Sequence, residues 1–299
     1  MLIVRYRHVF FILTGILVSL SVFAVLSYGL RFSIEFTGGS IMTVSYPDGR
    51  PEKGLVESRL KGLPVGGFTI RPSGDDRFIL RTRDLGNDER VAVMGALSVG
   101  GTVRAVADEF NSVGPTIGEE LKRKALVAIG LVILLITLFV TFVFRGVSKP
   151  VASWKYGIVV IVALVHDVLI PIGLFAFLGH VLGVEVDILF VTALLAILGY
   201  SINDTIVVFD RVRENLRVNQ ETGRKEEFEM TVGRSVSQTF VRSMNTSVTT
   251  ALALLAILFF GAEATQNFAL ALLTGVAAGT FSSIFLAAPL LVTLEKWQR

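Results

Sequence analysis

The sequence predicts a polytopic α-helical membrane protein of six spans, interrupted once by a small α+β domain. Three observations predict it. The 299 residues are 52% hydrophobic and only 18% charged, and the apolar ones come in long blocks. One stretch of about 90 residues between the first two blocks is polar enough to fold in water. The Lys and Arg residues gather on one side of the alternating spans.

A helix needs about 20 apolar residues to cross a bilayer core of about 30 Å. Val9–Tyr28, Ala125–Phe144 and Trp154–Leu178 each meet that length. The first is longer than the apolar region of a signal peptide, about 7–15 residues, and reads as a retained helix. Ile188–Gly199 and Ala251–Phe260 are too short alone. To span, the first must continue to Phe209 and the second must begin near Thr239. Asn203, Asp204 and Asn245 are thereby forced to membrane depth, and Arg242 to its boundary. Phe268–Leu294 is the sixth span.

With the N-terminus inside, Arg5, Arg7, Arg145, Lys149, Lys155, Arg211, Arg213, Arg217, Arg224, Lys225, Arg234, Arg242, Lys296 and Arg299 fall on the cytoplasmic side. The short outer loops at 180–187 and 261–267 hold no Lys or Arg. Lys122, Arg123 and Lys124 break the pattern, but they follow a long translocated segment, which is largely exempt. The organisation is a cytoplasmic N-terminus and first span at 1–30, an extracytoplasmic domain at 31–124, and five spans at 125–299 with a cytoplasmic loop at about 210–240. Both termini are expected in the cytoplasm.

In the polar segment, Ser40–Tyr46 alternates like a strand and Glu52–Leu63 has helical spacing. Phe68–Arg71 and Arg77–Thr82 read as strands joined through Pro72–Asp75. Asn87 is placed as the cap of a helix to Leu97, and Thr102–Phe110 alternates again. That order, β-α-β-β-α-β, is ferredoxin-like.

The chain has no cysteine, which excludes disulfides and thiolate chemistry. His8, His166 and His180 match no metal spacing, and no cofactor or catalytic motif is present, so an enzyme is not expected. A net charge of +3 does not suggest nucleic acid. The chemistry lies in polar groups at membrane depth. His166 and Asp167 lie near the middle of the third span, and Pro171 removes the helical partner of the Asp167 carbonyl. They are either glue between helices or part of a proton or conformational relay. Asp204 costs about 2.5–3.5 kcal/mol at a helix centre, a cost tolerated when the group is buried, paired or functional. Burial favours its neutral form and a nearby arginine its ionised form, so such a group can load and release protons. A fixed ion pair is the alternative. Arg242 is the available cation or a plain anchor. Gly275 and Gly279 form a G-x-x-x-G, a signal for close helix packing.

Several motifs resemble the SecD/SecF family. Phe36-Thr37-Gly38-Gly39 resembles its F-T-G-G box, and Phe110–Gly118, with Gly114 and Pro115, resembles its V-G-P motif. Ala163–Asp167 and the run Gly199–Asn215 are similar to its membrane signatures, and Arg242–Thr250 and Gly279–Pro289 fit as well. Ser33-Ile34-Glu35 departs from the usual G-I-D. The resemblance implies a six-span bundle of resistance-nodulation-division type with a periplasmic ferredoxin-like domain. It implies pairing with SecD beside the SecYEG channel, contacts with YajC and YidC, and use of the proton motive force to pull translocating polypeptides. It places the chain in a bacterial inner membrane and assigns Asp204 and Arg242 to proton movement; Asn203, Asp167 and His166 are further candidates from their membrane depth. A proton-driven small-molecule exporter subunit and a non-conducting scaffold are the rival readings.

Overall fold

The computed structural model describes residues 2–146 and 151–297; Lys149 and Arg299 of the charge pattern lie outside them. Phe32–Ala125 forms one compact unit, and the chain on either side of it forms the other.

The smaller unit is a four-stranded antiparallel sheet, β1 (Gly39–Ser45), β2 (Thr69–Ser73), β3 (Arg77–Thr82) and β4 (Val106–Val113), in the order β2-β3-β1-β4. Alternation puts Met42 and Val44 of β1 and Phe78 and Leu80 of β3 on one face. There they pack with Val56 and Leu60 of helix Lys53–Leu60 and with Val93 and Leu97 of helix Asn87–Leu97. Tyr46 is buried among them and donates its hydroxyl to the Leu97 carbonyl at 3.2 Å, and burial pushes the phenol up to about 12.

Three local expectations change. β2 runs through Pro72 and Ser73, because it is an edge strand and needs no outward N–H there. The helix cap is Gly86 and not Asn87: Glu89 accepts the Gly86 N–H at 3.0 Å, closing the first turn. β4 starts at Val106, later than Thr102, since a 3₁₀ turn at Val99–Gly101 intervenes. It then takes in Phe110–Val113.

The F-T-G-G box becomes one helical turn, Ile34–Thr37, capped by Ser33, whose hydroxyl accepts from the Glu35 N–H at 3.3 Å. Phe36 is buried against Phe32. Gly38 follows at φ +75°, and a Cβ there would lie 2.7 Å from the Cα of Pro115. A Cβ on Gly39 would lie 2.8 Å from the Thr82 carbonyl oxygen. Gly118 approaches Gly38 N equally closely, at 3.0 Å from its own would-be Cβ. The two sequence boxes are thus the halves of one backbone-to-backbone clasp. Pro115 opens the next helix, where its missing N–H costs nothing. Gly114 has open space around it and takes no part in the close packing.

Among the described residues, six helices are long and apolar enough to cross a membrane: Arg7–Tyr28, Pro115–Val143, Ser153–Val181, Ile188–Glu221, Phe228–Phe260 and Thr265–Lys296. The third, fourth and sixth form the centre, with 56%, 44% and 61% of their apolar windows buried, whereas the first, second and fifth are largely uncovered. The segment expected as a loop at 210–240 is a helical hairpin, turning at 222–227. Side chains zip it: Asn215 donates to Ser235 and Gln238, each at 2.8 Å, and Asn219 donates to Thr231 at 3.1 Å. At the tip, Glu226 accepts from Asn219 at 3.0 Å and Arg234 at 2.8 Å.

Gly38→Ala is expected to destabilise the small unit by about 1–3 kcal/mol through backbone strain and the Pro115 contact, read as faster limited proteolysis of the full chain. Burial works to raise the Glu226 carboxyl, but the bonds from Asn219 and Thr231 and the charges of Arg234 and Arg224 outweigh it and hold the group below the usual carboxylate range. Its contribution is therefore present at neutral pH and lost in acid, as pH falls through that lowered value. A dye on Lys225→Cys should lose anisotropy over that acid range, and Glu226→Gln should abolish the step.

Candidate functional site

The site is built by close helix contact. A Cβ on Gly275 would sit 2.2 Å from the Ile197 side chain, and one on Gly279 would sit 2.9 Å from Cβ of Ser201. The sixth span therefore rides against the fourth at both glycines. On the third span, Gly173 lies against Ser21 of the first, whose Cα would be 2.4 Å from an added Cβ. Gly199 differs: it is exposed with open space around it, so no packing contact requires it.

These contacts align hydroxyls around Asp167, which is fully buried. Its Oδ1 meets His166 Nδ1 at 2.8 Å. Its Oδ2 accepts from Ser282 Oγ of the sixth span at 2.9 Å and from Ser201 Oγ of the fourth. The seam continues through Thr205–Ser283 at 3.0 Å and Ser247–Thr280 at 2.6 Å. The buried carboxyl is here met by two hydroxyls and an imidazole, as hydrocarbon requires of a polar group. The other imidazole nitrogen, His166 Nε2, is buried without a partner.

Asp204 lies one turn beyond Ser201 on the fourth span and is 3% exposed. Ser243 and Ser247 of the fifth span stand beside it, yet its Oδ2 has no hydrogen-bond partner. Arg242 is exposed. It lines an open cleft of about 240 Å³ with Val207, Asp210, Arg211, Glu214, Gln238 and Thr239. Among the described residues, no ion pair joins it to Asp204. Asn203 points to the opposite, exposed side and does not meet Asp204.

The structure thus gathers His166 and Asp167 into one cluster and sets Asp204 next to it, while Asn203 and Arg242 stay outside. Sequence reasoning missed Ser201, Ser243, Ser282 and Ser283 as partners. The signal was there: Ser201 stands three residues before Asp204, and Ser282 and Ser283 follow Gly279 at i+3 and i+4.

Six apolar helices with buried carboxylates, and a ferredoxin-like domain between the first two, define a multi-pass membrane protein. Comparison with known proteins makes this specific. Residues 97–297 match the family model "Protein export membrane protein SecD/SecF, C-terminal", and residues 23–46 match "SecD/SecF GG Motif". Relatives called protein translocase subunit SecF include one from Thermobaculum terrenum, 38% identical over 98% of this chain and 93% of that protein. Another, from Anaerolinea thermophila, is 35% identical over 97% and 92%. The crystal structure of SecDF from Thermus thermophilus, a translocon-associated membrane protein, is similar with a TM-score of 0.79 and 34% identity. It covers 99% of this chain, which spans only 38% of that longer one. The chain belongs to the SecD/SecF protein-export family, on its SecF branch.

Gly173→Val should push the first and third spans apart at a cost of about 1–3 kcal/mol from overpacking, whereas Gly199→Ala should stay within about 0.5 kcal/mol. Thermal unfolding of the purified chain in detergent separates the two.

Proposed function

We propose that the chain is the SecF half of a SecDF-type translocation motor, in which ionisation of Asp204 couples proton movement to repacking of the bundle. The single observation that carries this is a carboxylate buried at membrane depth with an unpartnered oxygen. Buried polar atoms are ordinarily hydrogen-bonded, so an open oxygen calls for a reason. A carboxyl that exchanges a proton needs a free position, and the cleft at Arg242 lies on the same pair of helices for water and charge to approach. Asp204 and Arg242 act on each other without contact, so protonation weakens a long-range attraction and lets the fourth and fifth spans move. One charge crossing 100 mV is worth about 2.3 kcal/mol, enough to bias a two-state element roughly 50-fold.

Pairing with SecD follows from the surface. Asn203, Arg242 and Asn245 are exposed on the fourth and fifth spans. Lipid tails cannot satisfy such groups, and a second helical half does. The Lys and Arg distribution sets both termini in the cytoplasm and residues 32–125 outside it. In this reading SecYEG supplies the channel and the translocating chain, YajC and YidC are further neighbours, and no bond is made or broken in the cargo.

The test is export of a precursor into inverted inner-membrane vesicles carrying Asp204→Asn. The variant should insert at normal abundance and lose the potential-dependent part of export. Undiminished potential-dependent export would sink the coupling role and leave a scaffold. Drug sensitivity with intact export would favour the small-molecule exporter.

A further inference from the structure

The sixth span is not one α-helix. It is α over Glu263–Phe281, π over Ser282–Ala287, and α again over Ala288–Lys296. A π stretch carries one residue too many for the α-ladder, is rare, and concentrates at functional positions. Its location has a local cause. Pro289 has no N–H for the Phe285 carbonyl, so the α-ladder is already interrupted there. It also has a tertiary cause: the first two residues of the stretch serve two different helices. Ser282 Oγ donates to Asp167 on the third span at 2.9 Å, and Ser283 Oγ meets Thr205 on the fourth at 3.0 Å. Both serines also lie within reach of the Gly279 carbonyl, at 3.1 and 2.8 Å, so each has an alternative acceptor on its own helix.

We propose that this π segment is a register switch set by the charge on Asp167. With the carboxylate ionised, Ser282 and Ser201 donate to it and the extra residue is held in the π turn. With the carboxyl neutral, that demand falls, Ser282 turns to Gly279, and the segment relaxes to α. Absorbing one residue rotates everything C-terminal of it by about 100° and shifts it by about 1.5 Å. The rotation turns the buried face of the terminal segment, formed by Leu291, Val292 and Glu295, past its neighbours. What the rotation breaks is its anchorage: Lys296 pairs with Glu229 of the fifth span, which also holds Arg7 at 3.3 Å, and Lys155 Nζ donates to the Leu294 carbonyl at 2.6 Å.

The titratable groups near Asp167 are few. His166 adjoins it on its own helix, and Asp204 lies three residues past Ser201 on the fourth. The nearest charge on the fifth span is the exposed Arg242. The first and sixth spans carry ionisable residues only at their ends. The proposal deepens the proton-coupling reading, but it is read out as a distance, so its failure and the failure of that reading are distinguishable.

The chain has no cysteine, so an introduced pair is unique. The full chain in its native membranes, carrying Glu229→Cys and Lys296→Cys, is treated with a short bifunctional thiol reagent. The parent pair should cross-link. Asp167→Asn should lower the yield roughly ten-fold, as expected of a two-state element that loses a charge-assisted bond, and Ser282→Ala should lower it in the same direction. Deleting Ile284 removes the extra residue while keeping the phase of the terminal helix. In the Asp167→Asn background it should therefore restore the cross-link. Unchanged cross-linking in Asp167→Asn or in Ser282→Ala overturns the proposal. So does failure of the deletion to rescue.

Discussion

Two glycines one turn apart hold the sixth span against the fourth, and the polar interior depends on that approach. At Gly279 the backbones are close enough for Ser201 of one helix and Ser282 of the other to reach the same oxygen of Asp167. A larger residue at either glycine would part the helices and leave a buried anion without donors. Such a vacancy costs more than the packing itself, because nothing in hydrocarbon replaces a lost hydrogen bond.

The arrangement separates two carboxylates that share one helical neighbourhood. Asp167 is fully provided with hydroxyl and imidazole donors. Asp204, a turn from Ser201, keeps one oxygen open and has serines, not an arginine, at its side. One carboxyl is therefore met on both oxygens, and the other on fewer. That difference comes from which helix each faces: Asp167 faces the crowded third–fourth–sixth centre, and Asp204 faces the looser fifth span.

The architecture was legible because its signals are periodic. Apolar length located all six spans, and alternation in Ser40–Tyr46 and Arg77–Thr82 located the central strands. Boundaries were less legible where a tertiary contact decides them. Pro72 was read as a turn because edge position cannot be seen in one strand's own sequence. The charged connection at 213–239 is compatible with surface helices, but their pairing as a hairpin comes from Asn215, Asn219 and Glu226 finding partners across the turn, and not from apolar spacing. In the site, Asp167 and Asp204 were visible as costly charges in apolar blocks. Their serine partners were not, since a serine in a span is ordinary until another helix places an acceptor beside it. Asn203 is the converse: it adjoins Asp204 in sequence, and a step of about 100° per residue turns it away.

The helical hairpin has a mechanical consequence. Its two limbs are direct continuations of the fourth and fifth spans, so no hinge separates them from the bundle. From Asp210 to Glu221 the limb is about 18 Å long at 1.5 Å per residue. A lever of that length turns a tilt of about 10° at the membrane into an excursion of about 3 Å at the 222–227 tip. The polar zipper keeps the two limbs from shearing. A tilt of the fourth or fifth span is thereby carried, enlarged, to the 222–227 tip.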